Sequence, residues 1–281
     1  MPRIAIVTDS TAYLPSELIA EYDIHVIPLQ LIFTDRTYRD GVEITPAEFY
    51  TKLTQVETIP TTSQPTPQDF HAVYEQLSTE VEAILSIHIS EDLSGTLQSA
   101  RLAAAEVEIP VEIIDSRSIS MGLGYIVLAA ARALRAGASL EEAVAAARNL
   151  IPRLRIYFVV DTLEYLHKGG RIGSAARWFG TMLNIKPILE LKDGRVEAKE
   201  RVRNKRRAYA RLLDIMTEQT AEGGAIHAAV VHANAPDERD KVRAQVEERF
   251  HPVELYTADL SPVVGTHVGP GTVGVAFYTD E

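Results

Sequence analysis

The chain has 281 residues, 46% of them hydrophobic, with 28 Lys and Arg against 39 Asp and Glu for a net charge of −11, and it has no cysteine. A disulfide framework, a Cys-ligated zinc or iron–sulfur centre and a thiol nucleophile are therefore excluded, and no apolar run reaches the roughly 18 residues that cross a bilayer. The opening Met-Pro-Arg before Ile4–Val7 lacks the charged and apolar regions of a signal peptide, so a cytoplasmic protein is expected, with one large or two modest domains.

In chain order, residues 4–10 (IAIVTDS) read as a short buried strand ending in polar residues, and 24–33 (IHVIPLQLIF) as another, with Pro28 marking an edge or a break. Thr45-Pro46-Ala47-Glu48 is a capping box with proline at the first helical position, and Thr66-Pro67-Gln68-Asp69 repeats the proline with an acid in the first turn. Strands follow at 83–90 and 111–116, a helix from Thr96 to Val107, a mostly apolar helix over 121–136 stopped by Gly137, and a third capping box at Ser139 and Glu142. Short buried strands alternating with helices predict a parallel sheet covered on both faces.

From residue 151 the pattern changes. A strand at 156–161 precedes a helix over 162–170 ended by glycine, and a further helix is expected over 174–184. The strands 186–191 and 195–202 flank Asp193-Gly194, which supplies a type I′ hairpin turn. A helix of about 17 residues begins at Arg203, and a strand (225–233), a helix (236–250) and two strands (253–258, 272–279) complete the chain. The fold class read from this is α/β with two domains: an N-terminal parallel-sheet, Rossmann-like domain over 1–151 and a C-terminal mixed α+β domain over 152–281.

Charge is unevenly spread. Residues 1–150 hold nine basic and 21 acidic residues, whereas 192–211 alone hold nine basic and three acidic ones. That segment reads either as a solvated helix face or as a docking patch for an acidic partner. Nucleic acid is not expected, because the acidic half opposes attraction to phosphates and no nucleic-acid-binding motif is present.

Three of the parallel strands end in polar clusters: Thr8–Thr11, Ser90–Thr96 and Asp115–Ser118. Ligands of open α/β sheets bind outside the carboxyl ends of the strands, although Ser, Thr and Asp there are also ordinary helix caps. Ser94-Gly95-Thr96 precedes a strongly helical run, so Ser94 sits where unpaired amides and the helix dipole favour an anion, and Gly95 permits close approach. Thr61-Thr62-Ser63-Gln64-Pro65 is a second hydroxyl-rich loop, and the two loops together could hold a carboxylate with neutral donors. Ser94 as the nucleophile of a serine hydrolase or acyltransferase is the alternative, but its context is not G-x-S-x-G and no histidine is assignable to it. His227 and His232 fall on opposite faces of a strand, and no metal site is expected. Gly169–Gly173 and Gly265–Gly271 match no nucleotide fingerprint and read as a helix end and a loop, or as backbone lining a site; a nucleotide- or phosphate-binding enzyme is the weaker third reading. His267, between glycines, is expected at the surface.

Taken in order, Val7–Thr11, Thr62-Ser63-Gln64-Pro65, Leu93–Thr96, Ile114–Ser116, Asp161–Leu166 with Gly169–Ile172, Lys186–Leu189 and His267–Gly271 resemble the DegV family of bacterial fatty-acid-binding proteins over nearly the whole chain. The resemblance implies a two-domain protein with a long-chain fatty acid such as palmitate between its domains and no cofactor, metal or catalysis of its own. It implies that Thr62 and Ser94 bind the carboxylate, with Ser63, Gly95, Thr96, His267 and Gly269 lining the site. It also implies a partner, the kinase subunit of a fatty acid kinase that makes acyl-phosphate for phospholipid synthesis, engaged through Arg203 and His267, with Arg201 the competing alignment for the arginine. No stable membrane insertion is implied, and membrane contact is transient at most. Burial of about 14 methylenes at ~0.8 kcal/mol each supplies on the order of 11 kcal/mol before ordering costs, so the tail can carry affinity while hydroxyls fix the head. The apolar stretches 121–134 and 156–160 are candidate tunnel linings, although ordinary core is the favoured reading of each residue.

Overall fold

A computed structural model describes residues 3–180 and 185–280. The chain divides into two compact units, Met1–Thr45 with Pro60–Pro152, and Pro46–Ile59 with Arg153–Glu281.

The first part of the chain forms β1 (Ile4–Asp9), α1 (Ser16–Glu21), β2 (Ile24–Ile27), β3 (Gln30–Ile32), β4 (Thr37–Arg39), α2 (Pro46–Leu53), β5 (Thr61–Ser63), α3 (Pro67–Ser78), β6 (Ala83–His88), α4 (Thr96–Ala104), β7 (Val111–Asp115), α5 (Met121–Arg135) and α6 (Leu140–Leu150). All but α2 belong to the first unit, and no sequence signal marks that excursion. Four parallel strands lie in the order β2-β1-β6-β7. Every residue of β6 is buried, as a strand covered on both faces must be. On one face Phe70, Tyr74 and Leu77 of α3 and Ala100 and Ala103 of α4 pack on Val7 and Ile84. On the other, α5 packs on β1 and β6, and Leu123, Ile126, Val127 and Leu128 are fully buried.

The local signals act as their chemistry dictates. Pro28 breaks the 24–33 run into β2 and β3. Thr66 with Asp69 and Ser139 with Glu142 form complete capping boxes at α3 and α6. Strand order reverses between β1 and β6, because the chain adds β2 on one side and β7 on the other. The carboxyl ends of β1 and β6 thus form the switch point where such sheets bind ligands. A separate antiparallel sheet, β4-β3-β5, has strands too short to show periodicity in sequence, and it makes the expected 61–65 loop partly a strand.

The second unit contains α2, β8 (Arg155–Val159), α7 (Glu164–Lys168), β9 (Lys186–Lys192), β10 (Arg195–Val202), α8 (Lys205–Gln219), β11 (Ile226–His232), α9 (Pro236–Phe250), β12 (Glu254–Asp259), α10 (Pro262–Val268) and β13 (Val273–Thr279). Its sheet runs β10-β9-β8-β13-β11-β12, antiparallel except for the parallel pair β11/β12. Asp193 and Gly194 turn the β9–β10 hairpin with φ of 50° and 79°, the positive values a type I′ turn needs. Leu212, Ile215 and Met216 of α8 and Val242 and Val246 of α9 close the core over Val159, Val230 and Val275.

Two expectations are corrected. In place of a helix over 174–184 the chain makes a single 3-10 segment, Gly173–Trp178, entered with Gly173 at φ 52°, while 181–184 lie outside the described residues. Residues 265–268, read as part of a loop, belong to helix α10, capped by the Ser261 side chain on the Val264 amide and begun by Pro262. No helix among the described residues is long and apolar enough to cross a membrane.

Candidate functional site

At the switch point, β1 passes into a 3-10 turn over Ser10–Ala12. Buried Asp9 accepts hydrogen bonds from the Thr11 amide (3.0 Å), the Thr11 hydroxyl (2.5 Å), His88 Nδ1 (3.1 Å) and the Ile89 amide (2.9 Å). One carboxylate thereby ties the end of β1 to the end of β6. His88 Nε2 lies 2.6 Å from Ser86 Oγ, which lies 2.7 Å from the Tyr74 hydroxyl. Asp9, His88, Ser86 and Tyr74 are all fully buried, and burial raises the Tyr74 hydroxyl well above the usual tyrosine range. The sequence signal was available: Ser86 and His88 share one face of an otherwise apolar strand.

The next segment is the Ser94 loop. Leu93 and Ser94 donate their amides to the Ser90 carbonyl, at 3.0 and 3.1 Å. Gly95 is the N-cap residue of α4, so Ser94 stands just outside the helix start. Ser94 Oγ is 2.8 Å from Thr96 Oγ1 and accepts from the Thr96 amide at 3.3 Å. Ser94 and Gly95 are half-buried, whereas Thr96 is fully buried. Thr96 is thus the support of Ser94 rather than an open donor.

Thr62 reaches the same edge by way of the three-stranded sheet. Ser10 donates to Asp40 Oδ2 (2.7 Å) and accepts from the Leu29 amide (3.0 Å), anchoring β3 and β4 beside the end of β1. Leu31 of β3 pairs in register with Thr62 of β5. Two residues on, the Gln64 amide group lies so close to Gly95 that a Cβ there would stand 2.4 Å from Oε1. Only glycine admits this approach without displacing Gln64. Alternation along the extended segment sets Thr62 on the same side as Gln64, with Ser63 turned the other way and bonded to the Gln64 carbonyl (3.2 Å). The TSQP and SGT segments therefore meet, through a side chain that sequence reasoning passed over.

The second unit brings its two glycine segments together. A Cβ on Gly169 would lie 2.2 Å from His267 Nδ1, and a Cβ on Gly269 would lie 2.4 Å from the Tyr165 ring. The α7 turn and the end of α10 interlock, ring against glycine in both directions. His267 is consequently half-buried rather than at the surface, and burial, aided by the nearby Arg171 charge, pushes it down to about 4. It is a neutral imidazole near pH 7. Gly271, at φ 83°, passes over Asp161, which binds Lys186 Nζ (2.6 Å) and Lys205 Nζ (2.8 Å). Those two ammonium groups hold the Asp161 carboxyl below its ordinary range despite the opposing effect of burial.

The basic segment separates into paired and free charges. Lys199 pairs with Glu190, and Arg211 with Glu200 and Glu218. The Arg201 guanidinium lies 5.6 Å from the Trp178 ring centroid. The side chains of Arg203, Arg206 and Arg207 are exposed and make no ion pair or hydrogen bond among the described residues. His227 pairs with Glu254 and Asp280, and His232 with Asp259. No group of three or more His, Asp or Glu residues suited to a metal occurs among the described residues.

A cavity of about 430 Å³ opens at the opposite, amino-terminal edge of the parallel sheet, lined by Arg3, Glu21, Asp23, Glu80 and Arg135 among others. Its charges are matched by exposed pairs, Arg3 with Asp23 and Glu80 and Arg135 with Glu21, which carry little energy.

Comparison with known proteins matches residues 3–280 to the model of the DegV family, described as an uncharacterised protein family. Protein DegV of Bacillus subtilis is 36% identical over 277 residues, covering 98% of this chain and 99% of that protein. Among solved structures, a DegV family protein from Thermus thermophilus described for its fatty acid binding has a TM-score of 0.95 at 39% identity, over 99% of this chain and all of that one. A stearic-acid-binding protein from Eubacterium ventriosum has a TM-score of 0.92 at 26% identity, over 99% and 98% of the two chains.

Proposed function

This chain belongs to the DegV family, and on that premise we propose that it binds a long-chain fatty acid and presents the carboxylate to a partner kinase in the cytoplasm. In this reading Thr62 and Ser94 donate to the carboxylate, the protein is a carrier with no catalysis of its own, and the acyl-phosphate made on it enters phospholipid synthesis. The observation that carries it is the meeting of Gln64 with Gly95, which sets the Thr62 and Ser94 segments side by side at the sheet's switch point. Fatty acid binding by the structural neighbours from Thermus thermophilus and Eubacterium ventriosum supports it. Arg203, exposed and unpaired beside Arg206 and Arg207, is the better docking arginine, because Arg201 is engaged with Trp178. The hydrolase alternative loses its support: the Ser94 hydroxyl faces Thr96, and both ring nitrogens of His88 are taken by Asp9 and Ser86.

The test is lipid extraction of the purified protein followed by palmitate titration of the stripped form. A bound acyl chain and a palmitate-induced rise in melting temperature are expected. Thr62→Ala with Ser94→Ala should weaken binding by about 3–5 kcal/mol, two hydrogen bonds to a charged group, while leaving tail-driven binding measurable. A lipid-free protein that palmitate does not stabilise would reject the function. Unchanged affinity in the double variant would reject these two residues as the clamp.

A further inference from the structure

A third polar segment lies at this edge. Between β7 and α5 the chain runs through Ser116–Ser120. It is fastened to the Ser94 loop by the Ser90 amide donating to the Ser118 carbonyl (2.9 Å), and to β6 by the Ser116 amide donating to the His88 carbonyl (3.1 Å). Within it, the Ser118 amide donates to Ser116 Oγ at 3.1 Å. The backbone is therefore well held, but two hydroxyls are not. Ser118 and Ser120 are 2% and 6% exposed, and neither hydroxyl has a hydrogen-bond partner among the described residues.

Unpaired buried hydroxyls are unfavourable and call for an explanation. Ser120 is the N-cap residue of the 15-residue helix α5, yet its side chain caps no amide, and the first turn of α5 has no acidic residue to offset the helix dipole. Ser120 also holds φ 54° and ψ −146°, a conformation largely reserved for glycine. Alanine at 118 and glycine at 120 would relieve both penalties, so the two hydroxyls contribute nothing to the unliganded fold that simpler residues would not.

We propose that the Ser118 and Ser120 hydroxyls, at the positive end of α5, form an additional carboxylate-binding subsite beside Thr62 and Ser94. The inference rests on the fatty-acid reading above. It assigns the ligand's anionic head three segments rather than two, strand β5 and the loops after β6 and β7, all of them in the first unit.

Calorimetric titration of the full-length, lipid-stripped protein with palmitate and with hexadecanol tests it, using Ser118→Ala, Ser120→Gly, their double variant and Ser94→Ala. The alcohol has the same tail without the charge. Each Ser118 or Ser120 substitution should weaken palmitate binding about tenfold, leave hexadecanol binding unchanged, and leave the ligand-free melting temperature equal or higher. Unchanged palmitate affinity, an equal loss for acid and alcohol, or a lower ligand-free melting temperature would overturn the subsite. If wild type binds palmitate and Ser94→Ala weakens it while the Ser118 and Ser120 variants do not, this inference alone fails. If wild type binds no palmitate, the functional reading fails and the subsite with it.

Discussion

Asp9→Asn probes the junction on which the candidate site is built. The Asp9 carboxylate accepts from four donors, and none can be released to solvent because Asp9, Thr11 and His88 are fully buried. A carboxylate only accepts, so His88 Nδ1 carries a proton, Nε2 accepts from Ser86, and Ser86 accepts from Tyr74. Asparagine can meet this network in two ways. With its NH2 toward Thr11, the Thr11 amide is stranded, and the Thr11 hydroxyl, turned to accept, loses the acceptor of its own proton. With its NH2 toward β6, the Ile89 amide is stranded, the His88 ring must take the other tautomer, and the Tyr74 proton at the far end loses its acceptor. Either way at least one buried amide is stranded, at about 1–3 kcal/mol. For a unit of this size that lowers the melting temperature by about 3–9 °C. Thermal melting should show the loss, and the ring 15N shifts of His88 distinguish the two orientations. A variant as stable as wild type would refute the view that this carboxylate organises the switch point.

Three further outcomes follow from the second unit and its charged surface. His267 is depressed to about 4 in the folded protein against about 6.5 unfolded, so the unfolded chain gains its proton first. Stability should fall by about 2–4 kcal/mol as pH drops from about 6.5 to 4, and denaturation of His267→Gln should show a slope flatter by that amount. Gly271→Ala would place a Cβ 2.0 Å from Asp161 Oδ2, which two lysines hold in place, whereas Gly170→Ala, also at positive φ, meets nothing within 4 Å. Both incur about 1–2 kcal/mol of backbone strain, and a further loss in Gly271→Ala alone should appear in its melting curve. Arg203→Glu should change stability by less than about 0.5 kcal/mol and leave palmitate binding intact while abolishing kinase-dependent phosphorylation. Loss of lipid binding as well would mean the residue is not a docking contact.

What sequence reading reached depended on how local the governing physics is. The capping boxes at Thr66 and Ser139, the break at Pro28 and the Asp193-Gly194 turn involve neighbours within three residues, and each forms as its chemistry predicts. Helix α10 was legible in the same way, from Ser261 followed by Pro262, but the glycines at 265 and 269 obscured it. The three-stranded sheet was not legible, because three-residue strands carry no measurable period. Nor was the pairing of Asp9 with His88, 79 residues apart, although two polar residues on one face of buried β6 signalled a partner without identifying it. Gln64 carries no motif of its own, and its role appears only once Gly95 is seen to lack room for a side chain.

The charge distribution bears on how an anion would be held. The acidic first half of the chain offers the candidate head-group site hydroxyls from Thr62 and Ser94 and the start of α4. A bidentate arginine would bind a carboxylate more tightly, but under the proposed function it would also stabilise the ground state of the group that attacks a phosphoryl donor, and ground-state stabilisation alone does not speed a reaction. Neutral donors fix the orientation of the head and leave its charge largely uncompensated. The compensating cations then belong where charge develops during transfer. That requirement matches a chain that pairs Lys199, Lys205 and Arg211 internally while leaving the side chains of Arg203, Arg206 and Arg207 exposed.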